Sequence, residues 1–593
     1  MNVEELSLIA VAVLIVVVGV AIVAGRIGIA TPLILVVLGI GVGYLPGVPL
    51  IRVDPEIVLV AVLPPLLYSA AVNVPVLDLR RNIGPIAGLS VVLVIVSALV
   101  IGALLHLVFP ALPLGAGVAL GAVVAPTDAV AATSIGKRLG LPARLVTILE
   151  GESLVNDATS LVLLRTAIAA VAGSFVFWEA VGTFAYAVVV AVIIGLIVGA
   201  VTVWVRSRLN NPVYDTVLSF AVPFIAFAPT EYLHASGVLA VVVTGLYSGH
   251  HAARKFSATA RVNERLNWRT AQFLVENGVF LLMGLELHAL VDDVGRSDVT
   301  IGAAAVAALG VVVTLIVLRL AFMAPMIWAL RRSLPRYEAR ASTMQRLAER
   351  AESVSARSTE APEARTRARA RRIRLLADRS AADLQHAREQ GLDRRGGLII
   401  GWSGMRGVVT LAAAQSIPVT IPYRSQLVVI AFLVAVVTLL LHGLTLPPLI
   451  RRLRPRTPSG SARTQELVSL YHDLVDEGSA ALEGVLEREH ERAAHEATAH
   501  EASERTVRRA RASVRNSLAP LAFAMPPSAS PERATAAERE SNDYLRLARV
   551  ALDAQRAALL EERAIGRYSS AALRAAEDAL DAHEMRLTPP QRH

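Results

Sequence analysis

The strongest chemical signal in the chain lies between Gly121 and Ser160, GAVVAPTDAVAATSIGKRLGLPARLVTILEGESLVNDATS. Two apolar segments joined by a short basic turn hold Asp128 in the first and Glu150, Glu152 and Asp157 in the second. A carboxylate at membrane depth costs roughly 2.5–3.5 kcal/mol even on insertion scales, so acids placed there point to function. On a helix, Ser153 and Asp157 share one face, and Glu152 and Asn156 share the neighbouring stripe. A hydroxyl, an amide and a carboxylate then stand within reach of one point, an oxygen set that suits a hard alkali cation. Thr127 and Asp128, with carbonyls freed beside Pro126, complete the set, so the expected Na+ ligands are Asp157, Asp128, Thr127 and Ser153. A buried Asp157 holds a proton or a cation, but not both well. That competition is the chemistry of proton-coupled exchange. One acid swapping one proton for one monovalent cation moves no net charge, and Asn156, standing where a second acid would add a second proton, favours that one-for-one reading.

Glu152 and Arg406 are the expected buried ion pair, and breaking such a pair costs about 3–5 kcal/mol. The plainer readings are that both charges face water-filled funnels, and that Asp157 is a structural acid paired with Arg165. Ser403 lies in Gly-x-Ser-Gly, a pattern shared with intramembrane serine proteases, for which His442 is the nearest base. The acids before Ser160 would then have no role. His106, His288 and His442 read as hydrogen-bonded histidines near span ends rather than proton relays. Gly39, Gly41 and Gly43 follow no strand, so they read as close helix packing, not a nucleotide loop. Glu276, Asn277 and Glu286 sit on one later span as candidate supports.

These residues need helices to position them, and the composition supplies them. The 593-residue chain is 54% apolar with long apolar runs from Leu6 to Ile450, which places it in the membrane class. No cysteine is present, which excludes disulfides and thiolate metal sites. The net charge of +9 would suggest nucleic acid in a soluble protein; here the arginines fall in loops, where a cytoplasmic membrane face explains them. Glu4 and Glu5 precede the first apolar run without a basic segment, which argues for a retained span over a cleaved signal.

A span length of about 20 residues gives about thirteen candidates: 6–25, 27–44, 56–73, 83–108, 115–136, 144–172, 178–205, 213–230, 235–250, 270–290, 301–330, 396–417 and 425–450. With the N-terminus outside, basic residues collect in alternate loops, from Arg26 and Arg80–Arg81 to the Arg254–Arg269 stretch. The other loops carry only Arg52, Arg296 beside acids, and Arg424. That alternation obeys the positive-inside rule and puts the C-terminus in the cytoplasm. Four regions follow: spans one to eleven in 1–330, a cytoplasmic arginine-rich helical insert at 331–395, spans twelve and thirteen in 396–450, and a cytoplasmic helical tail at 451–593. The tail reads as helix at 464–517, a Pro/Ser break at 518–532, and helix again at 536–587. The layout permits an inverted repeat of six spans on either side of 178–205. Such repeats place the site on broken helices at the midplane, here the fifth span at Pro126 and the twelfth at GWSGMRG.

APTDAVA followed by EGESLVNDATSLV resembles the paired fifth and sixth spans of the cation–proton antiporter-1 family, the NhaP-type and animal-type Na+/H+ exchangers. The likeness continues in LPPLLYSAA (63–71), SGVLAVVVTG (236–245), NGVFLLMGLEL (277–287) and GWSGMRGVVTLA (401–412). The resemblance implies thirteen spans, a homodimer, and elevator-like movement of a core against a dimerisation domain. It matches Asp157 to the ion- and proton-binding aspartate and Asn156 to its partner. Thr127, Asp128 and Ser153 match site residues, and Glu152 with Arg406 the structural pair. One position departs: where many relatives carry glutamate after the aromatic of LPPLL, this chain has Ser69.

The expectation is an all-α polytopic protein of the plasma membrane that exchanges Na+ or Li+ for H+. K+/H+ exchange is the alternative within transport, and a cation channel the alternative outside it. No phosphate-binding loop is present, and neither an enzyme activity, a cofactor nor a nucleic-acid partner is expected.

Overall fold

The computed structural model describes residues 3–27, 30–46, 48, 54–171, 173, 177–209, 211–295, 301–357, 364–389, 392–418, 420–455, 460–495, 504–516 and 531–587. Arg52, Arg296 and the Pro/Ser break up to residue 530 lie outside them. Among the described residues all regular structure is helical. The chain divides into two units. One comprises 1–252, 263–334 and 390–457; the other comprises 253–262, 335–389 and 458–593.

The first unit opens with α1 (Val3–Ile27) and α2 (Thr31–Gly43). A π-helical turn at Ile57–Val62 leads into α3 (Leu63–Asn73), then α4 (Val76–Arg81) and α5 (Ile83–Ala87). Pro64 and Pro65 lack backbone donors and so sit in the first turn of α3, where none is needed. A second π-helical turn, Gly88–Val92, joins α5 to α6 (Leu93–Val108). Next come α7 (Leu114–Val124), α8 (Ala129–Arg138), α9 (Ala143–Val171), α10 (Phe177–Arg206), α11 (Pro212–Tyr232) and α12 (Gly237–Lys255). They are followed by α13 (Ala258–Gly295) and α14 (Ile301–Arg357), which both run across the unit boundaries. After α15 (Ala364–Glu389) in the second unit, α16 (Arg394–Trp402), α17 (Val408–Gln415) and α18 (Arg424–Leu453) complete the first. The tail contributes α19 (Gly460–His495), α20 (Glu504–Asn516), α21 (Pro531–Ile565) and α22 (Ser570–Leu587).

Among the described residues, eight helical segments are long and apolar enough to cross a membrane, and Val11–Ile27, Thr31–Gly43 and Ile57–Asn73 are shorter apolar helices. Two elements outrun their sequence-based bounds. The helix that carries the expected tenth span begins at Ala258, ahead of residue 270, and the helix that carries the eleventh continues past residue 330 to Arg357, into the expected helical insert. At 1.5 Å per residue these helices measure about 57 and 86 Å, well beyond a hydrocarbon core of about 30 Å. Their polar ends are rich in Ala, Arg and Glu, which are good helix formers, so loss of hydrophobicity does not end the helix.

The first unit has a large apolar core in which α6, α7, α9 and α18 meet, with Leu120, Ile148 and Phe432 fully buried. A second cluster joins α3, α11 and α12 to Leu154 and Ala158 of α9. The glycines of α2 serve packing: a Cβ on Gly43 would lie 2.9 Å from the Leu285 carbonyl of α13, and one on Gly284 would lie 2.9 Å from Gly39. The second unit has its own core, in which Leu474, Tyr544, Leu552 and Leu573 pack between α19, α21 and α22.

Candidate functional site

The two interrupted spans break where the sequence predicts. α7 stops at Val124 and α8 starts at Ala129; Pro126, having no N–H, cannot continue the ladder between them. α16 stops at Trp402 and α17 starts after Gly407. The two gaps touch. The Asp128 N–H donates to the Met405 carbonyl at 2.8 Å. Gly407 lies so close to Asp128 that a Cβ there would sit 2.7 Å from the Asp128 Cβ, so only glycine fits the crossing.

Charge follows the ends of the half-helices. Arg406 donates through Nε to the Val124 carbonyl at 2.9 Å, through Nη2 to Ala125 at 3.4 Å, and through Nη1 to Gly404. Val124 and Ala125 are the orphaned carbonyls at the C-terminus of α7, where a cation complements the helix dipole. Asp128 does the reverse. It caps α8, its Oδ1 accepting the Val130 N–H at 2.8 Å.

α9 supplies the supporting wall. The Thr127 hydroxyl donates to Glu152 Oε1 at 2.8 Å. Asn156 Nδ2 donates to the Thr127 carbonyl at 3.1 Å and its hydroxyl at 3.2 Å. Ser153 accepts the Ala129 N–H at 3.4 Å, and Ser160 donates to the Ala122 carbonyl at 2.7 Å. Backbone groups released by the break are therefore taken up by side chains spaced one helical turn apart.

Asp157 stands on this wall, 8% exposed. Among the described residues it has neither a hydrogen-bond donor nor a basic partner, and the nearby charge it feels is Asp128. Arg165, the base that would have made it a structural acid, bonds Glu231 at 2.6 Å instead. The Oδ1 of Asn156 is buried without a donor. Thr127, Asp128, Ser153 and Asn156 are thus linked through the α7–α8 break and α9, and Asp157 follows Asn156 on the same helix.

One expected contact is corrected. Glu152 pairs not with Arg406 but with Arg319 of α14, whose Nη2 meets Glu152 Oε2 at 2.8 Å while Nη1 meets Oε1. Arg319 also donates through Nε to the Ile400 carbonyl at 3.1 Å, so it ties α9, α14 and α16 together. Arg406 is occupied by the carbonyls of α7. A lone arginine in the apolar run TLIVLRLAFM was the signal for Arg319, because an ionised group inside a span needs a partner. Glu150 is taken by Lys137 at 2.7 Å. His106 and His288 bond the Leu112 and Gly43 carbonyls at 2.7 and 2.8 Å. Ser403 donates to the Ile399 carbonyl at 2.7 Å and not to His442, so no serine–histidine dyad is seen among the described residues.

The family model for the transmembrane sodium/hydrogen exchanger matches residues 12–452. The chain is similar to an uncharacterized Na(+)/H(+) exchanger of Mycobacterium tuberculosis, Rv2287, at 29% identity over 74% of this chain and 73% of that protein. It is 26% identical to the Na(+)/H(+) antiporter ApNhaP of Aphanothece halophytica, over 77% of this chain and 74% of the relative. A sodium, potassium, lithium and rubidium/H(+) antiporter of Bacillus pumilus is 28% identical over 71% of this chain and 57% of its own length. In fold it resembles the sodium proton antiporter MjNhaP1 of Methanocaldococcus jannaschii, with a TM-score of 0.55 at 16% identity, covering 77% of this chain and 100% of that one. With crossed broken helices inside a multi-pass helical unit and a family model matched from residue 12 to 452, the chain belongs to the sodium/hydrogen exchanger family and is a membrane cation/proton antiporter.

Proposed function

We propose that the protein exchanges Na+ or Li+ for H+ one for one, without net charge movement, by alternating access. Asp157 is the exchanging group. The observation that carries this reading is a buried carboxylate with no base among the described residues, beside a second carboxylate and a crossing of two broken helices. A lone acid of this kind alternates between a proton and a mobile cation. Thr127, Asp128 and Ser153 contribute oxygens to the cation, and Asn156 holds the Thr127 backbone in place. Glu152 acts through Thr127 and Arg319 as an organiser, not as a ligand.

The protein sits in the plasma membrane as a homodimer, with the N-terminus outside and the insert and tail in the cytoplasm, an orientation supported by the basic residues of alternate loops. K+ is the second candidate cation. Ser69 supports it, since it removes a charge where many relatives carry glutamate, and so does the Bacillus pumilus relative, whose name includes potassium.

Inside-out vesicles with an acid interior test the reading. Adding Na+, Li+ or K+ outside should make the interior more alkaline as protons leave. No cation-dependent alkalinisation at any pH would refute antiport. A rate driven by an imposed membrane potential would refute the one-for-one count.

A further inference from the structure

The connection between α12 and α13 is held by the last helix of the tail. Arg261 lies in the first turn of α13 with its side chain buried. Its Nε donates to Asp581 Oδ2 of α22 at 3.1 Å and its Nη2 to Asp581 Oδ1, while Nη1 donates to the Phe256 carbonyl between the two helices. Glu577 and Glu584 stand 4.0 and 3.9 Å from the same guanidinium. With Asp581 they fall at i, i+4 and i+7, on one face of α22. Arg556 of α21 closes the cluster, donating to Asp581 Oδ1 at 3.0 Å and to Glu584. The Asp581 side chain is 1% exposed. Residues 253–262, α21 and α22 all belong to the second unit, so the cluster is internal to it.

Arg261 and Asp581 are 320 residues apart, so no local turn brings them together. A guanidinium taken out of water is costly to strand, and the pair therefore holds the two segments to each other. Both segments lead into the membrane helices. The connector follows α12, which packs in the cluster with α3 and α11. The tail follows α18, which packs in the large core with α6 and α7. The pair thus ties the end of one packed group of helices to the end of the other. Alternating access needs packed groups of helices to rock against one another, and a buried pair that must stay made resists a change in the spacing between its anchors.

Resting on the alternating-access reading, we propose that α22 is a built-in brake on exchange. By holding Arg261, Asp581 ties the α12–α13 connector to the tail and slows the helix movement of each cycle. Release of α22 frees the connector and speeds turnover without altering the cation site.

The test is the rate of cation-dependent alkalinisation in inside-out vesicles, which present the proposed cytoplasmic face to added reagents, on the full chain. Asp581→Asn should raise the maximal rate by about threefold or more, with the half-saturating cation concentration unchanged. The chain has no native cysteine, so the double variant Arg261→Cys, Asp581→Cys offers two thiols and no others. It should run faster than wild type, slow to the wild-type rate when a short bifunctional methanethiosulfonate joins the two thiols, and speed up again when a reductant cleaves the link. A structural contact alone would not give that reversal. A wild-type or lower maximal rate in Asp581→Asn overturns the proposal, as does a rate indifferent to the cross-link. If Asp581→Asn fails to accumulate in the membrane, the double-cysteine protein decides, and equal rates before and after reduction overturn the brake. Wild-type vesicles without any exchange would overturn this proposal and the antiport reading together, whereas exchange that ignores α22 removes only the former.

Discussion

Arg206, at the end of α10, donates to both oxygens of Asp215 at 2.7 and 2.9 Å and to Glu264 at 2.6 Å. Its side chain is wholly buried, and those of the two acids are 6% and 5% exposed. Ser219 donates to Glu264 at 3.2 Å and Trp268 Nε1 donates to Ser219 at 2.8 Å, which extends the paired cluster onto α13. Where α7 and α8 cross α16 and α17, the arrangement is the opposite. Asp128 and Asp157 have no basic partner among the described residues, Arg406 is turned onto carbonyls, and Glu152 is committed to Arg319. Both clusters bury charge in the same unit. The first joins α10, α11 and α13 with an opposite charge in contact with each charge, and nothing is left to exchange. The second leaves acids that only a proton or a mobile cation can neutralise. Pairing therefore separates the charges that hold helices together from those that the proposed exchange would use.

The sharpest way to break this contrast is Asp157→Asn. Exchange in vesicles should fall by about a hundredfold or more, while the melting temperature of the purified protein holds or rises, because the charge removed had no partner. Loss of folding in this variant would mean that Asp157 is paired after all. Arg206→Ala should do the reverse. It strands two buried carboxylates and should cost about 3–5 kcal/mol, seen as a drop in thermal stability, with the cation half-saturation of the surviving protein unchanged. Thr127→Val lies between the two. It deletes a donor to Glu152 and an acceptor for Asn156 in a buried setting, for about 1–3 kcal/mol, and should slow exchange as well as lower stability.

The smallest effect is expected in the tail, where pairing is incomplete. Burial pushes the Glu562 carboxyl above the usual glutamate range, against the lowering effect of Arg567, and one of its oxygens has no donor. The penalty is absent in acid, where folded and unfolded forms are both protonated. It grows as pH rises past the ordinary glutamate value and is complete above the raised folded value. Glu562→Gln should remove that pH dependence and slightly increase amide-exchange protection of α21 at neutral pH. Equal protection in both forms across pH would show that Glu562 is satisfied.

Much of the candidate site could be read along one helix. Glu152, Ser153, Asn156 and Asp157 lie within six residues, so helical periodicity alone assigns them to neighbouring stripes. The breaks at Pro126 and at the glycines of GWSGMRG follow equally locally, from a missing N–H and missing Cβ atoms. Long-range choice of partner was not legible. Arg319 and Arg406 both offer a guanidinium to the sixth span, and no spacing rule says which one Glu152 takes. The choice depends on α14 passing beside α9, and on the orphaned carbonyls of α7 taking up Arg406 first. The bond from the Ser69 hydroxyl to Gln272 Oε1, at 2.9 Å, was hidden for the same reason, since the two lie 203 residues apart.

By itself the sequence determined that this is a multi-pass helical membrane protein, where its two interrupted spans break, and which acids stand at depth. These follow from hydropathy, from periodicity and from residues that cannot complete a helix. Only the tertiary structure decided which of those acids are neutralised by a base and which stand without one. A carboxylate at membrane depth looks the same in sequence whether it is a structural strut or an ion carrier. The difference is set by what the other helices bring within about 3 Å of it.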